Sequence, residues 1–251
     1  MLIERPEYLD KLIKYKDKDL KVVTGVRRCG KSVLLLTLFS DYLLNNGIAS
    51  EHIIKVNLEN KNNISLRDSD RLYTFVRSRM VSPGKCYVMI DEIQYVNGFE
   101  DLLNSLKNYG CDVYITGSNS KMLSSDIHTA LRGRSIEIRV HTLSFSEYFS
   151  FVGGDKDKAF RDYQLYGGFP YAATEQDSDL KIQYLKMLQD TVATRDVIER
   201  YSIRNVSAFY ATYDFLCSNI GSTVSTKKIS NTLQSNGYKT ITPDTIGNYL
   251  T

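Results

Sequence analysis

The sequence is poor in the features that mark several protein classes. Its four cysteines, Cys29, Cys86, Cys111 and Cys217, are scattered without C-x-x-C spacing. Neither a disulfide framework nor a zinc cluster is expected from them, and they read as thiols of a reducing cytosol. With 4 prolines and 15 glycines in 251 residues, there is no room for collagen-like or proline-rich architecture. The three histidines, His52, His128 and His141, have no metal or triad spacing, and no G-x-S-x-G stretch is present. An excess of one charge is also missing. Against 32 Lys and Arg stand 29 Asp and Glu, a net +3, which excludes a strongly basic nucleic-acid coat or an acidic tail. The longest apolar run, 33–39, contains Thr37 and is far below the ~20 residues of a membrane helix. The first residues, Met1-Leu2-Ile3-Glu4-Arg5-Pro6-Glu7, carry charge where a signal peptide needs an apolar stretch. A cytoplasmic protein with no membrane contact is expected.

What is present is an ordinary globular composition, 42% hydrophobic and 24% charged. The first half alternates short apolar runs with helical patterns. Strands are predicted at 20–24, 53–58, 86–91, 112–116 and 136–140, the last alternating like a peripheral strand. Helices are predicted at 31–45, 68–80 and 99–107. Such alternation specifies an α/β fold, a parallel sheet with crossover helices. After about Leu143 the strand signals stop, and helices follow at 145–152, 157–166 and 179–201, interrupted by Gly167-Gly168-Phe169-Pro170. The expected organisation is an α/β domain over 1–143, a helical segment over 144–204 and a compact helical module over 205–251.

The sharpest motif is Gly25-Val26-Arg27-Arg28-Cys29-Gly30-Lys31-Ser32. It fits G-x-x-x-x-G-K-[ST], the Walker A phosphate loop, and it lies between a predicted strand and a predicted helix. Glycine lets the main chain curl so that successive N–H groups, from Gly25 through Arg27, Arg28, Cys29 and Gly30 to Val33, surround anionic oxygens. The helix N-terminus adds partial positive charge. Lys31 is expected on the β- and γ-phosphates and Ser32 on Mg²⁺. Arg27 and Arg28 have three open assignments: nucleotide, acidic protein groups or nucleic acid.

The second motif, Val88-Met89-Ile90-Asp91-Glu92, ends a buried strand in two acids. Ligands of parallel sheets lie at the carboxyl ends of strands. Asp91 is therefore expected to hold Mg²⁺ and Glu92 to orient or deprotonate an attacking water. A third strand runs into Thr116-Gly117-Ser118-Asn119-Ser120. Ser118 or Asn119 either senses the γ-phosphate or caps a helix. Arg132 and Arg134, in Leu131-Arg132-Gly133-Arg134, precede the last strand. Either is able to meet a phosphate of its own or a neighbouring subunit, Arg134 the better placed.

The last segment pairs the stretch 224–233 with, after a turn, a helix opened by Thr242 and Pro243, a good N-cap and first turn. The pattern suits a winged-helix module, used for DNA contact or for protein packing. Four basic residues (Arg204, Lys227, Lys228, Lys239) against Asp214 and Asp244 are a small surplus. The chain stops at Thr251 within that helix pattern and before any wing strands, as a winged helix cut short would.

Taken in order, VVTGVRRCGKSVLL, YVMIDEIQ, YITGSNS, LRGRSIEIRVHTLSFSEYF, YGGFP and RDVIER resemble a prokaryotic AAA-type (AAA+, P-loop) ATPase family, over almost the whole chain. The resemblance implies a sheet in spatial order 5-1-4-3-2, a helical lid and a C-terminal winged helix. It implies ATP rather than GTP, in keeping with the lack of an N/T-K-x-D stretch. It makes Lys31 and Ser32 the nucleotide and Mg²⁺ residues, and gives Asp91 and Glu92 the Walker B roles. Asn119, or Ser118, becomes the first sensor, Arg134 an arginine finger, the Gly-Gly-Phe-Pro stretch a lid hinge, and Arg195 a second-sensor candidate. The expected function is Mg²⁺-dependent ATP hydrolysis that moves the lid and winged helix. The partners expected are a homo-oligomer or a protein, with DNA open through the winged helix. The alternatives are a nucleotide-gated DNA-binding or regulatory switch and, against the paired acids, a small-molecule kinase.

Overall fold

A computed structural model describes residues 2–117, 133–199 and 201–250. Two compact units divide the chain, Met1–Met187 and Leu188–Thr251.

The first unit is built on a five-stranded sheet of β1 (Leu20–Thr24), β2 (Ile53–Asn57), β3 (Tyr87–Asp91), β4 (Asp112–Gly117) and β5 (Ser135–Arg139). The strands are all parallel and lie in the order β2-β3-β4-β1-β5, the expected 5-1-4-3-2 read from the other edge. The three central strands, β1, β3 and β4, are buried at every residue, which is why they read as unbroken apolar runs. The two edges, β2 and β5, alternate.

Period two sorts the strand residues between two cores. Val22, Val88, Ile90, Val113 and Ile115 join Leu72 and Val76 of α3 (Ser69–Arg79) and Leu102, Leu103 and Leu106 of α4 (Phe99–Asn108). Val23, Tyr87, Met89 and Tyr114 face the other way. They meet Tyr8 and Leu12 of α1 (Pro6–Lys14) and Leu34, Leu35, Phe39 and Leu43 of α2. Helix α2 runs over 31–45, with a π-helical turn at Leu34–Phe39 where an unbroken α-helix is predicted. Helix α1 was not predicted, although Pro6 sits in its first turn.

The carboxyl ends of β1, β3 and β4 lie together, and the opposite end of the sheet is closed by a buried ion pair. Lys21, fully buried, meets Asp112 and lies 4.1 Å from the centre of the Tyr114 ring. The other oxygen of Asp112 accepts from Tyr114 Oη at 2.8 Å and from the Asp17 amide at 2.9 Å. Burial lowers the affinity of Lys21 for its proton, and Asp112 opposes this. Substituting Asp112→Asn leaves the ammonium buried without its counter-charge, so about 3 kcal/mol or more of stability is expected to go. Denaturant unfolding measures the loss, and Lys21→Met in the same chain is expected to restore part of it. Unchanged stability in Asp112→Asn would show the pair to be idle.

Among the described residues, four further helices follow the sheet: α5 (Phe145–Val152), α6 (Lys156–Tyr166), α7 (Pro170–Thr174) and α8 (Ser178–Thr191), whose last residues belong to the second unit. A full capping box opens α5, with Ser144 and Glu147 satisfying one another's amides. The expected hinge at Gly167-Gly168 is more constrained than its glycines suggest. The amide of Leu143 donates to Gly168 O at 2.7 Å, and a Cβ on Gly168 would lie 2.2 Å from Leu143 O. Gly168 is required there for close backbone approach.

In the second unit, α9 (Val206–Ser218), α10 (Thr226–Ser235) and α11 (Pro243–Leu250) surround Ala208, Ile229, Leu233, Ile241 and Ile246. The predicted helix over 179–201 becomes α8 followed by a π-helical stretch, Val192–Glu199. Among the described residues, no helix is long and apolar enough to cross a membrane.

Candidate functional site

The turn from β1 into α2 is the predicted phosphate loop, and its shape depends on Gly25. That residue has φ +144°, and a Cβ there would meet the carbonyl oxygen of Val140 at 2.1 Å. Gly25→Ala is expected to open the loop and lower stability by about 1–3 kcal/mol. Thermal unfolding beside a nucleotide titration measures both effects. Wild-type values in both would mean that the loop tolerates a side chain there.

Lys31, 3% exposed, opens α2. Its ammonium donates to Gly25 O and Val26 O, both at 3.0 Å, and so spans the loop from its end to its beginning. Cys29 is fully buried, and its thiol donates to Val140 O at 3.4 Å. Burial pushes that thiol's pKa up, so Cys29 contributes main-chain groups to the loop and its thiol is held protonated. Arg27 is half-buried and Arg28 exposed. The Nε of Arg27 is buried with no hydrogen-bond partner among the described residues. Arg28 adopts φ +67° and acts electrostatically on Tyr184 of α8. Val33 is exposed on the next turn.

Strand β3 delivers Asp91, 1% exposed, to the same place. Ser32 Oγ donates to Asp91 Oδ1 at 2.9 Å, joining residues 59 positions apart. Strand β4, between β3 and β1, contributes Thr116, whose hydroxyl donates to the same oxygen at 2.5 Å. Asp91 Oδ2 is buried without a hydrogen-bond partner among the described residues. Burial raises the pKa of this carboxyl, and the bonds from Thr116 and Ser32 oppose the shift. A carboxylate oxygen left without a donor beside a serine hydroxyl is a hard-oxygen set that suits Mg²⁺. Among the described residues, no group of three or more His, Cys, Asp or Glu gathers as a metal site.

Glu92 follows in the left-handed region, φ 59° and ψ 52°. Its amide donates to Thr116 Oγ1 at 3.0 Å, and its carboxylate accepts from Gln94 Nε2. A non-glycine residue held at this dihedral turns the chain sharply at the strand end, so Asp91 and Glu92 point in different directions from adjacent positions.

Ser118, Asn119 and Arg132 lie outside the described residues. Arg134 is exposed and immediately precedes β5. Ser135 pairs with Leu20, the first residue of β1. Arg134 therefore lies at the far end of β1 from Gly25, a strand length of roughly 16 Å. Arg195 falls in the π-helical stretch of the second unit, with its side chain outside the described residues.

Three features were missed in the sequence. Thr116 holds the Asp91 carboxylate and the Glu92 main-chain amide, and its only signal was a polar residue ending an apolar strand. Arg5 is buried against the loop and carried no signal. The third is a cavity of about 160 Å³ beside Gly30, walled by Ile3, Val33, Leu143, Pro170 and Tyr171. Its lining comes from four separate stretches of chain, near residues 3, 33, 143 and 171.

Comparison with known proteins matches residues 17–149 to the family model described as AAA domain. Residues 157–251 match a domain of unknown function (DUF8612). An uncharacterized protein of Haemophilus influenzae is 38% identical over 257 residues, covering 99% of this chain and 64% of that protein. An uncharacterized protein of Methanocaldococcus jannaschii is 30% identical over 250 residues, covering 95% of this chain and 55% of the relative. The chain thus spans less than two thirds of these curated relatives. Among solved structures, the S. cerevisiae Hsp104:casein complex aligns with TM-score 0.48 and 15% identity over 88% of this chain and 47% of that one. Domain III of the Thermotoga maritima replication initiation protein DnaA aligns with TM-score 0.43 and 12% identity, over 93% and 94%. With the phosphate loop, the strand-end acids and a family match over more than half of its length, the chain belongs to the AAA domain family.

Proposed function

We propose that this protein binds ATP with Mg²⁺ and hydrolyses it, using the change of nucleotide to move the helices that follow the sheet. The observation that carries this is the meeting of Ser32, Thr116 and the buried Asp91 at the mouth of a glycine-shaped loop closed by Lys31. Buried acids are costly unless matched by a cation or donors, and the unmatched Oδ2 of Asp91 calls for one.

In this proposal the main-chain amides of 25–33 and the Lys31 ammonium hold the β- and γ-phosphates. Ser32 and Asp91 hold Mg²⁺, which when bound neutralises charge on the phosphate oxygens. Glu92 orients and deprotonates the attacking water, and Asn119, or Ser118, hydrogen-bonds the γ-phosphate. The adenine ring occupies the cavity beside Gly30. Its volume, about 160 Å³, is below the ~300–1,000 Å³ of a whole-ligand pocket and suits a single ring system. Tyr171, on its wall, packs against Tyr184 with ring centres 4.4 Å apart and planes tilted by 36°, which ties the base to the helical lid. The distance from Arg134 to the loop leaves it no reach to its own nucleotide. If it acts as an arginine finger, it acts on a neighbouring copy, and that favours a homo-oligomer. The cytoplasm is its proposed setting.

Phosphate release from ATP and Mg²⁺ by the purified protein, with Lys31→Ala beside it, tests the proposal. Release above background that Lys31→Ala abolishes is expected. Equal release by both would end it.

A second proposal, DNA contact, is favoured by the packing of α10 and α11 about Ile229, Leu233, Ile241 and Ile246. This helix–turn–helix arrangement leaves Lys227, Lys228 and Asn248 exposed. Nucleotide state would then gate the contact. A labelled duplex, titrated at low and high salt with and without ATP, is expected to bind more weakly as salt rises. No binding in low salt would exclude it.

A further inference from the structure

Arg5 carries three hydrogen bonds in three directions while only 5% exposed. Its Nε donates to Glu147 Oε1 at 2.6 Å, Nη1 to Cys29 O at 3.1 Å and Nη2 to His141 O at 3.0 Å. Its guanidinium also stacks 4.6 Å from the centre of the Tyr8 ring. Desolvating a guanidinium is expensive, so a stretch of chain that needed only an anchor would be served by an apolar residue. The planar fork of Arg suits several fixed acceptors at once.

The acceptor at Cys29 is the informative one. A trans peptide points its C=O and N–H to opposite sides. Fixing Cys29 O on Arg5 therefore turns the Gly30 N–H away from Arg5. Glu147 adds a second link. It lies in the first turn of α5, where Oε2 accepts from the Ser144 amide at 2.8 Å while Oε1 accepts from Arg5. One side chain thus joins the phosphate loop to the helix that opens the lid.

We propose that Arg5 is a positioning residue that sets the Gly30 amide for phosphate and couples the loop to α5 through Glu147. This rests on the proposed nucleotide binding. Because Arg5 also borders the cavity beside Gly30, inorganic tripolyphosphate separates the two roles, as it carries phosphates and no base. Arg5→Ala is expected to weaken ATP and tripolyphosphate alike by about 10–100-fold, the worth of a charge-assisted hydrogen bond. KM for ATP should rise with kcat within about twofold, since the interaction is made equally in ground and transition states. Glu147→Gln is expected to weaken both ligands several-fold, and the double variant to be no weaker than Arg5→Ala alone.

The inference is overturned if folded Arg5→Ala binds tripolyphosphate as the wild type does, if the two losses simply add, or if kcat falls as far as kcat/KM. Should Arg5→Ala fail to fold, the wild-type tripolyphosphate affinity of Glu147→Gln would overturn it equally. A wild-type protein that binds neither ligand sinks the nucleotide proposal itself, and this inference with it.

Discussion

Replacing Lys31 with alanine is expected to weaken ATP binding by about 100–1,000-fold, the equivalent of about 3–4 kcal/mol for an ammonium meeting phosphate oxygens in a partly dehydrated site. The loss should be specific. The Lys31 ammonium is held by Gly25 O and Val26 O and not by any core side chain, while the aliphatic core of α2 rests on Leu34, Leu35, Phe39 and Leu43. The melting temperature of Lys31→Ala should therefore stay near that of the wild type while affinity collapses. Calorimetric titration with ATP and Mg²⁺ reads the change. An affinity within about threefold of the wild type, in a folded variant, would mean that the loop does not clamp phosphate through this residue.

Glu92→Gln is expected to separate binding from turnover. The substitution keeps the size of the side chain and the bond from the Glu92 amide to Thr116 Oγ1, so the left-handed turn that aims residue 92 survives. What it removes is the basicity. Hydrolysis should fall by about 100–1,000-fold, within the usual worth of a general base, while ATP affinity changes by less than about threefold. Single-turnover phosphate release alongside a nucleotide titration measures both. Wild-type turnover in Glu92→Gln would move the base to another residue. A matched loss of affinity would make Glu92 a binding group.

The legible part of this molecule was the part written in contiguous residues. Gly25 to Ser32 is one stretch, and its geometry follows from the residue types. The strands were legible because central strands of a parallel sheet are buried on both faces and edge strands are not. Periodicity names strands without ordering them, however, and the order 5-1-4-3-2 came from the resemblance of the ordered motifs to a family. Asp91 was legible because it ends an apolar run. Thr116 was not, because its role depends on β4 lying between β1 and β3, a fact of topology. Arg5 was illegible for the same reason: its partners are 24, 136 and 142 positions away. The cavity beside Gly30 needs the N-terminal segment, the phosphate loop and α7 to converge, and no local pattern encodes that. Helix α7 itself spans only Pro170–Thr174, too short for a hydrophobic period to show.

Gly168 has a packing role that its residue type alone does not reveal. Paired glycines suggest a bend, yet this one is packed against the main chain of Leu143. Movement of the helices after the sheet, if ATP drives it, has to carry that contact along or break it.

The most direct test of the central claim is equilibrium binding of ADP to the wild-type protein, with and without Mg²⁺, beside Asp91→Asn. The account predicts binding that Mg²⁺ strengthens in the wild type and leaves unchanged in Asp91→Asn, because the orphaned carboxylate oxygen is what the cation meets. Folded wild-type protein that takes up no ADP in either condition would contradict it.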